Sequence, residues 1–167
     1  MSGRPDDWDT PVAIPEAPTL RKILVPFDGS HTGERALSWS ILAARNNSAE
    51  IVVVVAFDPP HTVKGRGASY VEEMRATLEE EAKELAEESV ERLLEHRVTA
   101  RGVVVKGDIA RAILETADEE SVDLIVLGRQ GLTHEAGGTL ERFRALMSGG
   151  IAEKVSRHAN VPVLVVV

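Results

Sequence analysis

The chain has no cysteine among its 167 residues. That excludes a disulfide framework, a thiolate metal site and a cysteine nucleophile, and it fits a reducing compartment. Positive charge is also in deficit: 19 Lys and Arg face 27 Asp and Glu, a net charge of -8. Such a balance argues against broad binding to nucleic acid or to acidic membranes. Most of the surplus falls between Val71 and Glu95, where glutamates dominate, as on a solvated helix face. No apolar run is long enough to span a bilayer, and the N-terminus lacks the apolar core of a signal peptide. The cytoplasm is the expected compartment. His31, His61, His96, His134 and His158 are scattered, without metal-ligand spacing. There is no Gly-x-x-x-x-Gly-Lys loop and no Gly-x-Ser-x-Gly elbow.

What is present is an alternating chain with a distinct beginning. Residues 1–20 carry Pro5, Pro11, Pro15 and Pro18 among small and acidic residues, so they read as a flexible tail with Trp8 its large apolar group. Ile23 to Phe27 reads as a buried strand, and Ala36 to Ala44 has helical spacing behind Ser30 or Thr32 as a cap. Ile51 to Phe57 is β-branched and almost wholly apolar, like a strand covered on both faces. A long amphipathic helix follows, with Val71, Met74, Leu78, Leu85 and Leu93 or Leu94 on one stripe. Val98 to Val105 is the next strand, and Asp108 caps a helix to about Glu119. Val122 to Leu127 makes a fourth strand. A last helix runs from about Gly150 to Ala159, Asn160 is a left-handed stop, and Val163 to Val167 closes the chain. Five strands joined by crossovers long enough for helices predict one doubly wound α/β domain over residues 21–167, its sheet mostly parallel.

The glycines point to a ligand. The fourth strand ends in Gly128-Arg129-Gln130-Gly131, and Gly149-Gly150 opens the last helix. A strand that stops in glycines and a glycine-opened helix turn backbone N–H groups toward an anion, usually phosphate. Arg129, Arg142 and Arg144 add positive charge near that loop. In open parallel sheets ligands bind beyond the carboxyl ends of the strands, where the strand order reverses. Asp28 lies just past the first strand and Gly128 just past the fourth. The expected neighbourhood of those strands would bring Asp28, Gly128, Gly131 and Gly149 to one crevice.

Ile23-Leu24-Val25-Pro26-Phe27-Asp28-Gly29-Ser30, the Gly-x-x-Gly at 128–131, Gly149-Gly150-Ile151-Ala152-Glu153-Lys154-Val155 and the closing Val161-Pro162-Val163-Leu164-Val165-Val166 together resemble the universal stress protein family. The resemblance spans about residues 21–167. It implies a five-stranded parallel sheet in the order 3-2-1-4-5, Rossmann-like, with helices on both faces. It also implies a homodimer paired through the last strand. Nucleotide-binding members carry Gly-x-x-Gly, nine residues, then Gly followed by Ser, Thr or Asn. Carried over by position, Gly128, Gly131, Gly149 and Gly150 would surround the phosphates of ATP. Asp28 would approach the ribose or a Mg²⁺-phosphate group, and Pro26 and Ala56 would border adenine. The backbone near Val104 or Val105 could close the adenine pocket.

Two departures bear on that reading. Seventeen residues, Leu132 to Ser148, stand where nine are expected, and Gly150 replaces the hydroxyl or amide residue. The longer loop costs only about 0.6 kcal/mol in closure entropy. A lost hydrogen bond to phosphate costs about 1.5–3 kcal/mol, with Ser148 or Thr133 available as substitutes. The expected function is a dimeric stress-response or regulatory protein that binds ATP. Its competitor is a dimeric interaction protein of the same fold with an empty site. An enzyme is not expected beyond slow ATP hydrolysis by a metal near Asp28, because no general base or nucleophile stands out.

Overall fold

The computed structural model describes residues 16–59, 68–129 and 150–167. Five parallel strands form one sheet: β1 Lys22–Pro26, β2 Glu50–Phe57, β3 Ala100–Lys106, β4 Leu124–Gly128 and β5 Val163–Val166. Its order is β3-β2-β1-β4-β5, as expected. Helices α1 His31–Asn47, α2 Ala68–Glu95, α3 Ile109–Glu119 and α4 Ile151–His158 cover the two faces. The register sets Ile23 of β1 between Ile51 of β2 and Leu124 of β4, so β1 is central and the order reverses between β1 and β4.

Alternation along the strands makes two cores. Ile23 and Val25 of β1, with Ile51, Val53, Val55 and Phe57 of β2, point to the α1–α2 face and meet Leu37, Leu78, Ala82 and Leu93. Leu24, Val52, Val54, Ile125 and Leu127 point the other way, toward Ile113 of α3 and Val155 of α4. A strand buried on both faces has no polar alternation to display, which is why β2 is an unbroken apolar run. On α2 the stripe resolves onto Leu93, which is buried, while Leu94 is exposed.

Helix starts follow the sequence closely. Ser30 caps α1, its hydroxyl accepting the Gly33 N–H at 3.0 Å, and Asp108 caps α3 by accepting the Arg111 N–H at 2.9 Å. Ends differ from expectation. β3 begins at Ala100 rather than Val98 and β4 at Leu124 rather than Val122. Arg97 (φ 58°) and Ser121 (φ 51°) are left-handed, so buried Val98 and Val122 belong to the turns that follow helices. β1 starts at Lys22 and ends at Pro26, one residue earlier at each end than the apolar pattern marks. Asn160 is not a left-handed stop: α4 ends into Ala159 with extended backbone (φ -68°, ψ 139°), and the chain continues toward Pro162. The Asn160 amide instead donates to Asp118 Oδ1 at 3.2 Å.

Candidate ligand crevice

The strand-order reversal leaves a crevice at the carboxyl ends of β1 and β4. It is an open cleft, with about 610 Å³ of empty space when the solvent at its mouth is included. β1 and the turn after it contribute Pro26, Asp28 and Ser30, β2 contributes Val54 and Ala56, and β4 contributes Leu127, Gly128 and Arg129. The far wall is apolar: Ile109 and Ile113 from α3, and Ile151 and Ala152 from the first turn of α4. An apolar floor with polar groups at one rim suits a flat ring system carrying a charged tail.

The polar rim is built by the turn into α1. The Ser30 N–H donates to Asp28 Oδ1 at 3.0 Å, while the Ser30 hydroxyl holds the Gly33 N–H. Asp28 thus orders the turn and still lines the crevice. Gly128 approaches this turn from β4. A Cβ there would lie 2.5 Å from Thr32 Oγ1, 2.7 Å from the Thr32 carbonyl carbon and 2.9 Å from the Gly33 nitrogen. Two of those three atoms are backbone, so only glycine fits between β4 and the first turn of α1. The Arg129 N–H continues the sheet, donating to the Val166 carbonyl at 2.7 Å. Across the crevice Gly150 is the N-cap of α4 with φ 85°, in the left-handed region, and it contributes no side-chain cap. The positive end of α4 therefore opens beside Ile151 and Ala152.

The structure brings Pro26, Asp28, Ala56 and Gly128 together as lining residues and sets Gly150 directly before the lining pair of α4. Gly131 and Gly149 lie outside the described residues, as do Thr133, Arg142, Arg144 and Ser148. Val104 and Val105 do not line the crevice. β3 pairs with the outer side of β2, Ala56 standing opposite Val105, so β2 lies between β3 and the opening. Sequence reasoning missed Ile109, Ile113, Ile151 and Ala152. Their signal was available: apolar residues in the opening turns of helices that start at the carboxyl end of a parallel sheet.

Among the described residues, the charged groups with displaced titration do not line the crevice. At the opposite, amino end of the sheet a side-chain hydrogen bond from Arg101 holds the Glu120 carboxyl below its usual range, with Lys22 adding to it. Among the described residues no three His, Asp or Glu side chains are grouped to hold a metal. Among them, too, no helix is long and apolar enough to cross a membrane.

An open parallel sheet with an apolar, polar-rimmed crevice at its reversal point defines a Rossmann-like α/β protein. The universal stress protein family model matches residues 19–167, and the chain belongs to that family. Universal stress protein YxiE of Bacillus subtilis is 26% identical over 162 residues, covering 88% of this chain and 99% of the relative. Universal stress protein MJ0531 of Methanocaldococcus jannaschii is 31% identical over 146 residues, covering 87% and 81%. Among solved structures, UspA of Lactobacillus plantarum superimposes with a TM-score of 0.74 at 19% identity, covering 90% of this chain and 100% of that one. A universal stress protein in complex with cAMP gives 0.63 at 22% identity, covering 90% and 99%. One from Archaeoglobus fulgidus in complex with dAMP gives 0.61 at 20%, covering 89% and 99%. At those identities the likeness speaks for the fold.

Proposed function

We propose that the crevice binds an adenine nucleotide, ATP with or without Mg²⁺, and that the chain acts as a dimeric stress-response or regulatory protein. The observation that carries the reading is the pairing of an apolar slot with a helix N-terminus. Ile109, Ile113 and Ala56 offer a surface for a purine, and the first turn of α4 offers backbone donors and a positive dipole end for phosphate. Asp28, at the rim of the crevice, would meet ribose hydroxyls or a phosphate-bound Mg²⁺. Gly131 and Gly149 would complete the phosphate loop. The cAMP and dAMP complexes of structural neighbours support the adenine class.

The homodimer would form through β5. That strand ends the sheet; Leu164 within it is 41% exposed, and Val167 just after it 55%. An apolar edge strand of this kind invites pairing with a second copy. One observation favours the competing reading, a dimeric interaction protein with an empty site: the packing against Thr32 and Gly33 explains Gly128 without any ligand. Calorimetric titration of ATP and Mg²⁺ into protein freed of co-purified nucleotide separates the two. Micromolar binding supports the nucleotide reading, and no heat with no nucleotide to displace supports the empty site.

A further inference from the structure

The outer face of α1 is not built for solvent. Trp39 is 51% exposed and Leu42 53%, and together with exposed Arg35 they recur at helical spacing, opposite buried Leu37, Ser40 and Ala44. Arg45 flanks this stripe one turn beyond Leu42 and donates to the His96 carbonyl at 2.6 Å, a neutral acceptor. No free carboxylate offsets these cations on the helix. Glu34, the acid of α1, is held by both terminal nitrogens of Arg92, at 2.8 and 2.5 Å. The face is thus apolar in its centre and basic at both ends.

The sequence outside the described residues has the complementary pattern. Asp6-Asp7-Trp8-Asp9 places an aromatic among three carboxylates, and Val12 and Ile14 follow between Pro11 and Pro15. The root of this segment lies at the correct helix. Leu20 packs against the core beneath α1 and α2, and the Arg21 carbonyl accepts the N–H of Glu50, just past the end of α1, at 2.9 Å. From Leu20 to Trp8 a proline-rich chain reaches as far as ~37 Å at about 3.1 Å per residue. The whole of α1 is only about 26 Å long. We propose that the segment from Asp6 to Ile14 docks on the outer face of α1 of its own chain, with Trp8 against Trp39 and Leu42 and the aspartates toward Arg35 and Arg45. A tether of this length supplies an effective concentration of roughly millimolar, so a contact too weak to join separate molecules is populated within one chain. The prolines lower the ordering cost further, because an extended segment has less freedom to lose. The proposal is independent of the nucleotide site.

The chain's two tryptophans provide the test. In full-length protein, Trp8→Phe leaves Trp39 as the sole reporter with an aromatic still in the tail. A second full-length variant combines Trp8→Ser with Asp6→Asn, Asp7→Asn and Asp9→Asn. Acrylamide quenching of Trp39 is expected to be about twofold stronger in the second variant. Raising NaCl to about 0.5 M, where screening is nearly complete within a few ångströms, should move the first toward the second. Neither value should change with protein concentration. Equal quenching in the two variants with no salt effect would overturn docking. Quenching that is equal in both but falls with protein concentration would overturn it too, and would assign the stripe to a second copy.

Discussion

Gly128→Ala tests the tightest seam in the molecule. Its methyl group would be driven to 2.5 Å from Thr32 Oγ1 and 2.7 Å from the Thr32 carbonyl carbon, against an ordinary carbon contact of about 3.5–4.0 Å. A rotating side chain relieves neither backbone clash, so α1 must move off the sheet at its first turn or β4 must bend. Overpacking of this kind costs about 1–3 kcal/mol, and the backbone partners put it at the upper end. Alanine stiffens the unfolded chain and returns about 0.4–1 kcal/mol. The net loss is about 2 kcal/mol, which with a urea slope of about 2 kcal/mol per molar lowers the midpoint by about 1 M. Thr32→Ala in the same chain removes the nearest clashing atom and spares the backbone ones, so it should recover less than half of the loss. Urea unfolding followed by circular dichroism reads both. A midpoint within about 0.2 M of the parent, at unchanged slope, would refute the argument that packing demands this glycine.

Three further outcomes follow from the geometry. Ala152→Trp fills the crevice from the α4 wall and should weaken ATP binding in calorimetry by at least about tenfold, or ~1.4 kcal/mol; unchanged affinity would place the ligand elsewhere. Val165→Asp puts a charge on the edge strand and should convert a dimer into monomer in sedimentation; the same dimer afterwards would rule out pairing through β5. Glu120→Gln tests the amino end of the sheet. Because the folded carboxyl is held below its unfolded range by Arg101, its contribution is complete above about pH 5 and fades as pH falls through the folded value. Solvent screening limits it to about 1 kcal/mol or less. The stability gap between parent and variant should therefore close on acidification, and a gap constant from pH 7 to pH 3 would contradict the ion-pair account.

Much of the architecture was legible because it is written locally. β2 announces its double burial as a continuous apolar run, and Ser30 and Asp108 announce helix starts through a side-chain oxygen three residues before the N–H it accepts. Boundaries were harder where burial and conformation part company. Val98 and Val122 are as apolar and buried as strand residues, yet each follows a left-handed residue that no apolar pattern reveals. Ser30 and Thr32 competed as caps on equal chemical terms; the helix begins at His31, so Ser30 is the cap and Thr32 lies inside the first turn, where Gly128 of β4 approaches it. Half of the crevice was legible as glycines and Asp28 at strand ends. The other half, Ile109, Ile113, Ile151 and Ala152, comes from the opening turns of two helices, an apolar signal that marks a site only once the strand order brings the two helices together. The reason for Gly128 was likewise hidden, because its neighbours Thr32 and Gly33 are distant in the chain.

The two walls of the crevice differ in how readily they give. On one side β4 and the first turn of α1 already meet at close backbone approach through Gly128, so that wall has no room to close further. On the other, α4 is only eight residues long, buries Val155 alone and begins at a glycine without a side-chain cap. Short elements with few buried contacts open at low free energy. The α4 wall is therefore the one expected to yield first. A ligand that touches α4 should slow amide exchange there more than in α1, which hydrogen exchange measured with and without nucleotide would read.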